Sequence, residues 1–596
     1  MHTAYDLALR FDRRMGDPDD GGRLFSYARC AELDAREEFP AEICRELDAL
    51  GLPRHYVPAA HGGDLHSFEP ALQLVRAIAR RDLTVAIAHG KTFLGAVSVW
   101  VGGTADQARA LADRVIEGAP VSWGLTEREH GSDLLAGEVT ARPVDGGYLV
   151  TGEKWLINNA TRGRLVCLLT RTGGAGGPLG FSLLMIDKHS LDPTHYRPLP
   201  GVPLHGIRGA DISGIAFTDA PVPASAVVGS EGRGMEIVLK SLQLTRTLCA
   251  SLSLGAADNA LALSLRSALG SPAPDRPASD RPALDRPRAR QLLAQSYADL
   301  LLAEATTLVA SRSIHGLTNE LSVTSAVTKY FVPTLVDGLI AGLGPVLGAQ
   351  AQLTGGDAAI DRDRSAGGHG QHGRYQKVLR DHQIVGIFDG NTLVNLHSLI
   401  TQFPLLSRQL AAGTVDDGGL ADATTLTRTL PGFDRTRLSL LSRGGSSVVQ
   451  GLGAAVQELS ALAAAGAVPA SLDRRAQELR AEAERLAADL AAHRPTPVDV
   501  PAPAFGLAER YARCFAGSAA LHLWLRNRDR HAGHDGLWHR GLWLEAVLVR
   551  LLAQLRPGRP APPDEVFERL LPVLLDQYDS GDLPSLLSYP LVKDPA

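Results

Sequence analysis

Residues 121–159 read VSWGLTEREHGSDLLAGEVTARPVDGGYLVTGEKWLINN, and this stretch decides the fold. A short apolar run ends in Leu125-Thr126-Glu127, and a turn follows at Gly131-Ser132-Asp133. The β-rich segments after it are punctuated by Asp145-Gly146-Gly147 and by Thr151-Gly152. Such punctuation between alternating runs predicts a meander of tight hairpins. The β-piece stands inside a chain otherwise rich in Ala and Leu at helical spacing. Far downstream, residues 380–390 read RDHQIVGIFDG and place Asp389 and Gly390 in a turn.

At 596 residues the chain exceeds what one core can hold, so three or four units are expected. Net charge is −5, and no basic stripe with interleaved aromatics appears, which argues against a nucleic-acid partner. The five cysteines, Cys30, Cys44, Cys167, Cys249 and Cys514, show no CxxC or Cys/His spacing. A reduced, cytoplasmic setting without a metal site is the expectation. The first residues hold no uninterrupted apolar region, and no run of about 18 apolar residues occurs, so no signal segment or membrane span is expected.

Residues 1–118 read as helices. ALQLVRAIARRDLTVAIAH has apolar residues at helical spacing, and TADQARALADRVIEG is an amphipathic helix opened by Thr104 and stopped at Gly118. His89 reads first as a packed helix-end histidine. Residues 119–228 form the β-domain, with SLLMIDK and GIAFTDAPVPASAVVG as further strands. Helix resumes at Gly232 and yields to SPAPDRPASDRPALDRP, where proline at that density forbids helix. Helical residues 229–414 include a second loop, TGGDAAIDRDRSAGGHGQHGRY. Its His369 and His372 lack a third ligand and read as surface. Residues 415–596 are a further helical extension without a legible motif.

The order LTE…GSD, hairpin, GEKWLINNA, followed downstream by RDHQIVGIFDG, resembles the acyl-CoA dehydrogenase family. The resemblance implies a mostly helical α+β fold: an N-terminal helical domain, a central β-domain and a helical bundle, here with an extra C-terminal helical domain. It implies FAD as cofactor, an acyl thioester as substrate, an electron-transferring flavoprotein as electron acceptor, and a homodimer. HGKTFLGAVSVWVGGTADQ resembles the helix pair that walls the acyl pocket. Leu125 and Thr126 would reach the pyrimidine side of the flavin, and Ser132 its pyrophosphate or the thioester arm. Leu156, Ile157 and Asn158 stand where the family has Trp-Ile-Thr, with the tryptophan displaced to Trp155. Asn158 would donate toward the ring N5.

Removing an α-proton and a β-hydride from a thioester needs a positioned carboxylate and an electron acceptor that no side chain provides. By resemblance the base is Asp389, where the family usually has a glutamate. Aspartate withdraws the carboxylate by about 1.5 Å, one carbon–carbon bond. A solvated aspartate in an Asp-Gly turn is the plainer alternative. The family's other base position falls on Thr245, which cannot act as a base. Gln243, Arg246 and Gly390 would lie against the substrate, and Arg246 as a helix-surface charge is the alternative. Asn391 takes a position near the adenine side. The ADP half is less well matched: Arg276, Arg281 or Arg286 could meet the phosphates, and the expected glycine-rich turn is reduced to Leu347-Gly348-Ala349-Gln350.

Three functions compete. The first is FAD-dependent α,β-dehydrogenation of an acyl group on coenzyme A or on a carrier protein. The second is an oxidase of the same fold, of the acyl-CoA or the nitroalkane type, told apart by peroxide formation. Nitroalkane oxidase carries an aspartate at this position. The third is a fold relative that has lost catalysis and acts as a binding partner, told apart by failure to take up FAD.

Overall fold

The computed structural model describes residues 3–173, 177–270, 283–354, 373–494, 500–531, 536–556 and 565–592. Residues 271–282 of the Asp-Arg-Pro repeat, with Arg276 and Arg281, and residues 355–372, with His369 and His372, lie outside the described residues. The repeat's end is a 3-10 turn at Ala283–Asp285, and its last proline, Pro287, opens a helix. Two compact units emerge, and both are discontinuous in sequence. One comprises residues 29–66 and 82–245, and the other 1–28, 67–81 and 246–596.

The first unit is built on a seven-stranded sheet of order β1-β4-β2-β3-β7-β6, with β5 added to β4. The strands are β1 (Val121–Gly124), β2 (Thr140–Val144), β3 (Gly147–Asn158), β4 (Leu165–Arg171), β5 (Phe181–Asp187), β6 (Tyr196–Leu199) and β7 (Ile212–Pro223). Alternate residues point into one core: Tyr148 and Val150, Val166 and Leu168, Leu184 and Ile186, Ile215 and Phe217.

The meander expected from the turn residues is corrected here. Only Asp145-Gly146 makes a two-residue hairpin, pairing Val144 with Gly147. Thr151-Gly152 lies inside β3 and marks a bulge against β7 between Val150 and Gly152. Gly152 takes φ +131, and a Cβ there would stand 3.0 Å from the Val139 Cα, so only glycine fits the bulge. β1 and β2 both run parallel to β4, a pairing that no local turn signal announces.

The helices of this unit are capped as their sequences dictate. Asp82 interrupts the apolar run and accepts from Val85 N at 2.9 Å, opening helix Leu83–Gly102. Thr104 and Gln107 form a reciprocal capping box on helix Ala105–Ile116. The Gln107 amide also donates to Val227 O at 2.6 Å, fixing that helix to the segment after β7.

The second unit is a helical bundle around helix Pro287–Gly316, which is buried on all sides over most of its length. Glu304 at its centre accepts from Arg76 Nη1 (2.8 Å), Tyr5 Oη (3.1 Å), Ser585 Oγ (2.5 Å) and Leu586 N (2.9 Å). Arg76 in turn grips Asp258 with two bonds, Nε to Oδ2 at 2.7 Å and Nη2 to Oδ1 at 2.8 Å. One buried carboxylate thus joins the chain's first helix, its middle and its last segment. The C-terminal helices, among them Ala470–Ala492, Ala502–Asn527, Leu542–Leu555 and Glu565–Asp579, share one continuous apolar core with residues 250–406.

Among the described residues, three helical stretches, Leu83–Gly102, Gly234–Leu269 and Thr318–Gln352, are long and apolar enough by composition to cross a bilayer, although none holds a run of about 18 uninterrupted apolar residues. Their apolar windows are 78%, 89% and 56% buried inside the protein. A helix that is apolar all round finds partners in a core as readily as in lipid.

Candidate active site

Each unit carries one of the two stretches that the motifs single out. In the sheet unit, the Leu125-Thr126-Glu127 strand end is tied to β3. The Leu125 carbonyl accepts from Lys154 Nζ at 2.9 Å, and the Thr126 carbonyl from Trp155 N at 3.1 Å. The Thr126 hydroxyl donates to Trp155 O at 2.9 Å. Glu127 receives Lys154 Nζ at 2.7 Å, Glu138 N at 2.7 Å and Val139 N at 3.2 Å. Burial pushes the Glu127 carboxyl up, but these backbone N–H groups and the ammonium overcome it and hold it below its ordinary value. Burial pulls Lys154 down against the opposing pull of Glu127. This pair, absent from the expected site residues, fixes the strand end. Its signal was the Glu and Lys inside the two quoted motifs.

Leu156 is the extra residue of a second β3–β7 bulge, since Trp155 pairs with Gly214 and Ile157 with Ser213. It takes φ +57 and is 45% exposed, an apolar side chain turned out of the sheet. Ile157 is buried. Trp155 lies under the Arg128 guanidinium at 4.1 Å. Ser132 is exposed on the turn after Gly131.

The carboxamide of Asn158 is the telling group. Both its Oδ1 and its Nδ2 are buried without a hydrogen-bond partner, and so is the indole Nε1 of Trp123. Buried polar atoms left open cost about 1–3 kcal/mol each, so each calls for an explanation, and beside the quoted motifs a bound ligand is one. A planar heterocycle with donors and acceptors along one edge and an apolar face fits Asn158 and the outward Leu156.

In the bundle unit, helix Arg374–His382 runs into the turn Gln383–Gly386 and then the Asp389 loop, before helix Thr392–Ile400. Asp389 and Gly390 take φ +57 and +89, so the chain reverses through two left-handed residues. Arg246 Nε donates to Asp389 O at 2.9 Å. A Cβ on residue 390 would stand 2.8 Å from Arg246 Nη2, so glycine lets the guanidinium lie against the loop. Burial pulls the Arg246 guanidinium down to about 10, with the Asp389 charge opposing. Lys329 Nζ donates to Val385 O at 2.6 Å and Gly390 O at 3.3 Å. Asn395 Nδ2 donates to Gly390 O at 2.8 Å and to Asn391 O at 2.9 Å. The Asp389 carboxylate itself meets Cys249 Sγ at 3.5 Å from Oδ2.

Arg246 and Gly390 are thus brought together with Asp389. Asn391 caps helix Thr392–Ile400, its Oδ1 accepting from Val394 N at 3.0 Å, which leaves its NH2 as the group able to meet a ligand. Gln243 is buried on helix Gly234–Leu248. Arg286 precedes helix Pro287–Gly316. Lys329 and Cys249 are members of the loop's setting that sequence reasoning misses, because they lie 61 and 140 residues from the groups they meet. Asn395, five residues from Gly390, is local but belongs to no quoted motif.

Family models place these observations. The N-terminal domain of acyl-CoA dehydrogenases matches residues 26–119, the middle domain 122–220 and the C-terminal domain 232–402, together more than half of the chain. The chain belongs to the acyl-CoA dehydrogenase family. A probable acyl-CoA dehydrogenase of Mycobacterium leprae (strain TN) is 26% identical over 232 residues, 39% of this chain and 59% of that protein. The match therefore spans less than two thirds of that relative's length. Cyclohex-1-ene-1-carbonyl-CoA dehydrogenase of Syntrophus aciditrophicus (strain SB) is 24% identical over 384 residues, 61% of this chain and 83% of that one. The crystal structure of an acyl-CoA dehydrogenase from Bacillus anthracis, complexed with FAD, is 17% identical. It superposes with a TM-score of 0.64 over 97% of this chain and 95% of that one. The fold is therefore that of the acyl-CoA dehydrogenases, and its C-terminal helices have counterparts in that structure.

Proposed function

We propose that this family member is an FAD-dependent dehydrogenase that introduces an α,β double bond into an acyl thioester, with Asp389 as the base. One observation carries the reading: in a chain of this family, the position expected to hold the base bears a carboxylate on a loop whose main chain is pinned by Arg246, Lys329 and Asn395. A solvated turn aspartate needs no such setting. The open Asn158 carboxamide supports FAD as the cofactor.

In this reading Asp389 Oδ takes the α-proton, and Arg246 and Gly390 hold the loop against displacement as the charge moves. Bound FAD would supply the hydride acceptor that no side chain offers. Asn158 would hydrogen-bond the ring edge, and Leu156 would cover one apolar face. An electron-transferring flavoprotein then reoxidises the enzyme, which we take to be a cytoplasmic homodimer; sedimentation velocity checks the dimer.

The test is an anaerobic visible spectrum of the purified protein before and after addition of acyl-CoA substrates of graded length. The expected outcome is bleaching of the oxidised flavin with at least one of them, absent in Asp389→Asn. Flavin that ignores every acyl-CoA but bleaches with a carrier-bound acyl group or a nitroalkane redirects the substrate. Peroxide formed on aerobic turnover would make the enzyme an oxidase. A protein that takes up no FAD would sink the enzymatic reading.

A further inference from the structure

Two kinds of contact meet at the Asp389 loop, those to its main chain and those to the carboxylate. Those from Arg246, Lys329 and Asn395 end on main-chain carbonyls, and they settle where the loop runs. They do not settle which way the carboxylate faces. An aspartate reaches less far than a glutamate, so a rotation of its short side chain moves the accepting oxygen away from a substrate with no slack to compensate.

We propose that Cys249 is a positioning residue for this base, its thiol donating to Asp389 Oδ2 and fixing the orientation of the carboxylate. The proposal rests on the reading of Asp389 as the base. Three observations converge on it. Sγ lies 3.5 Å from Oδ2, an ordinary separation for a sulfur donor. Cys249 is buried, so water does not compete for the thiol. And it stands at the single-residue break between helix Gly234–Leu248 and helix Ala250–Leu269, three residues after Arg246.

Residues three apart share a helix face. One helical turn therefore holds the base twice, Arg246 by its backbone and Cys249 by its side chain. The break lets it do so: Ser251 Oγ donates back to Leu248 O at 2.6 Å across the interruption, satisfying a carbonyl there. A thiol suits the task because it is a weak, uncharged donor. It orients the carboxylate without tying up the lone pairs that must accept the α-proton.

The experiment uses the full-length protein and has two readouts. The first is infrared: the S–H stretching band of Cys249 is compared in wild type and in Asp389→Ala, which removes the acceptor. A shift of that band to higher frequency is expected, and the comparison needs no change at Cys249. The second is rapid-mixing reduction of the flavin by an acyl-CoA that bleaches the wild type. In Cys249→Val, which fills the space without a donor, the reduction rate should fall about tenfold, the worth of one hydrogen bond. Substrate Kd should stay within about twofold, a split that a packing role would not produce. An S–H band indifferent to Asp389→Ala overturns the proposal while leaving the base assignment intact. If Asp389→Asn still bleaches the flavin, the base assignment fails, and the positioning role falls with it whatever the band does.

Discussion

Along residues 123–158 most polar groups of the candidate site are satisfied by the sheet's own strands, whereas along residues 383–395 they are satisfied by side chains, two of them reaching in from distant helices and one from the helix that follows. In the sheet, Thr126 and Trp155 exchange main-chain and hydroxyl bonds, and Lys154 and Glu127 close the strand end. What the sheet leaves open in this stretch is the Asn158 carboxamide and the Trp123 indole N–H. In the bundle, the base loop has two consecutive left-handed residues and no strand to lie against, so Arg246 and Lys329 hold it from distant helices and Asn395 from the helix that follows. The difference teaches a division of labour: a rigid platform for a ligand that must be held still, and a clamped turn for a carboxylate that must be aimed.

The largest effect expected from breaking this contrast is at the aimed group. Asp389→Asn keeps the shape of the side chain and removes its basicity. Flavin reduction by substrate should slow by about 10²–10⁴-fold, the range for loss of a general base, with substrate Kd little changed. Stopped-flow reduction at saturating acyl-CoA measures it.

On the platform side, Lys154→Met should cost about 3–5 kcal/mol, because it leaves the buried Glu127 carboxylate without its cation. Chemical denaturation reads the loss. Glu127 adds a pH signature. Its folded value is lowered, so its contribution to stability is present above the ordinary carboxylate range and is lost as pH falls through the lowered value. In Lys154→Met that acid-side slope should be reduced and should begin at higher pH.

Gly390→Ala tests the clamp without touching the base. A Cβ at φ +89 is strained, and it would collide with Arg246 Nη2. A displacement of the carboxylate near 1 Å should slow reduction by about a hundredfold. Arg246→Lys, which cannot reproduce the Nε contact, should act in the same direction.

The same contrast explains what can be read from the sequence. The platform is legible because its chemistry is local: LTE, GSD and GEKWLINN lie within 40 residues, and Asp145-Gly146 announces its hairpin. Even there, Thr151-Gly152 reads as a turn when it is a bulge, because its conformation is decided by β7, some 65 residues on. The base itself is legible only as a resemblance at Asp389. Its clamp is not, since Lys329 and Cys249 reach it across 61 and 140 residues. Nor does any motif announce that Ser585 and Leu586 close onto Glu304, 281 and 282 residues away.

The smallest predicted effect is also the most diagnostic, because two of its readouts should move in opposite directions. Asn158→Leu replaces a buried carboxamide, open at both ends, by an apolar side chain of similar size. If those open atoms exist to meet the flavin, the apoprotein should gain about 1 kcal/mol, since two unsatisfied groups are removed. Its affinity for FAD should fall about tenfold, the equivalent of one lost hydrogen bond. Thermal unfolding of apoprotein and fluorescence titration with FAD measure the two separately. A variant that loses stability and keeps its FAD affinity would mean that Asn158 belongs to the sheet's own packing, and the platform would then have no open group for the cofactor at that point.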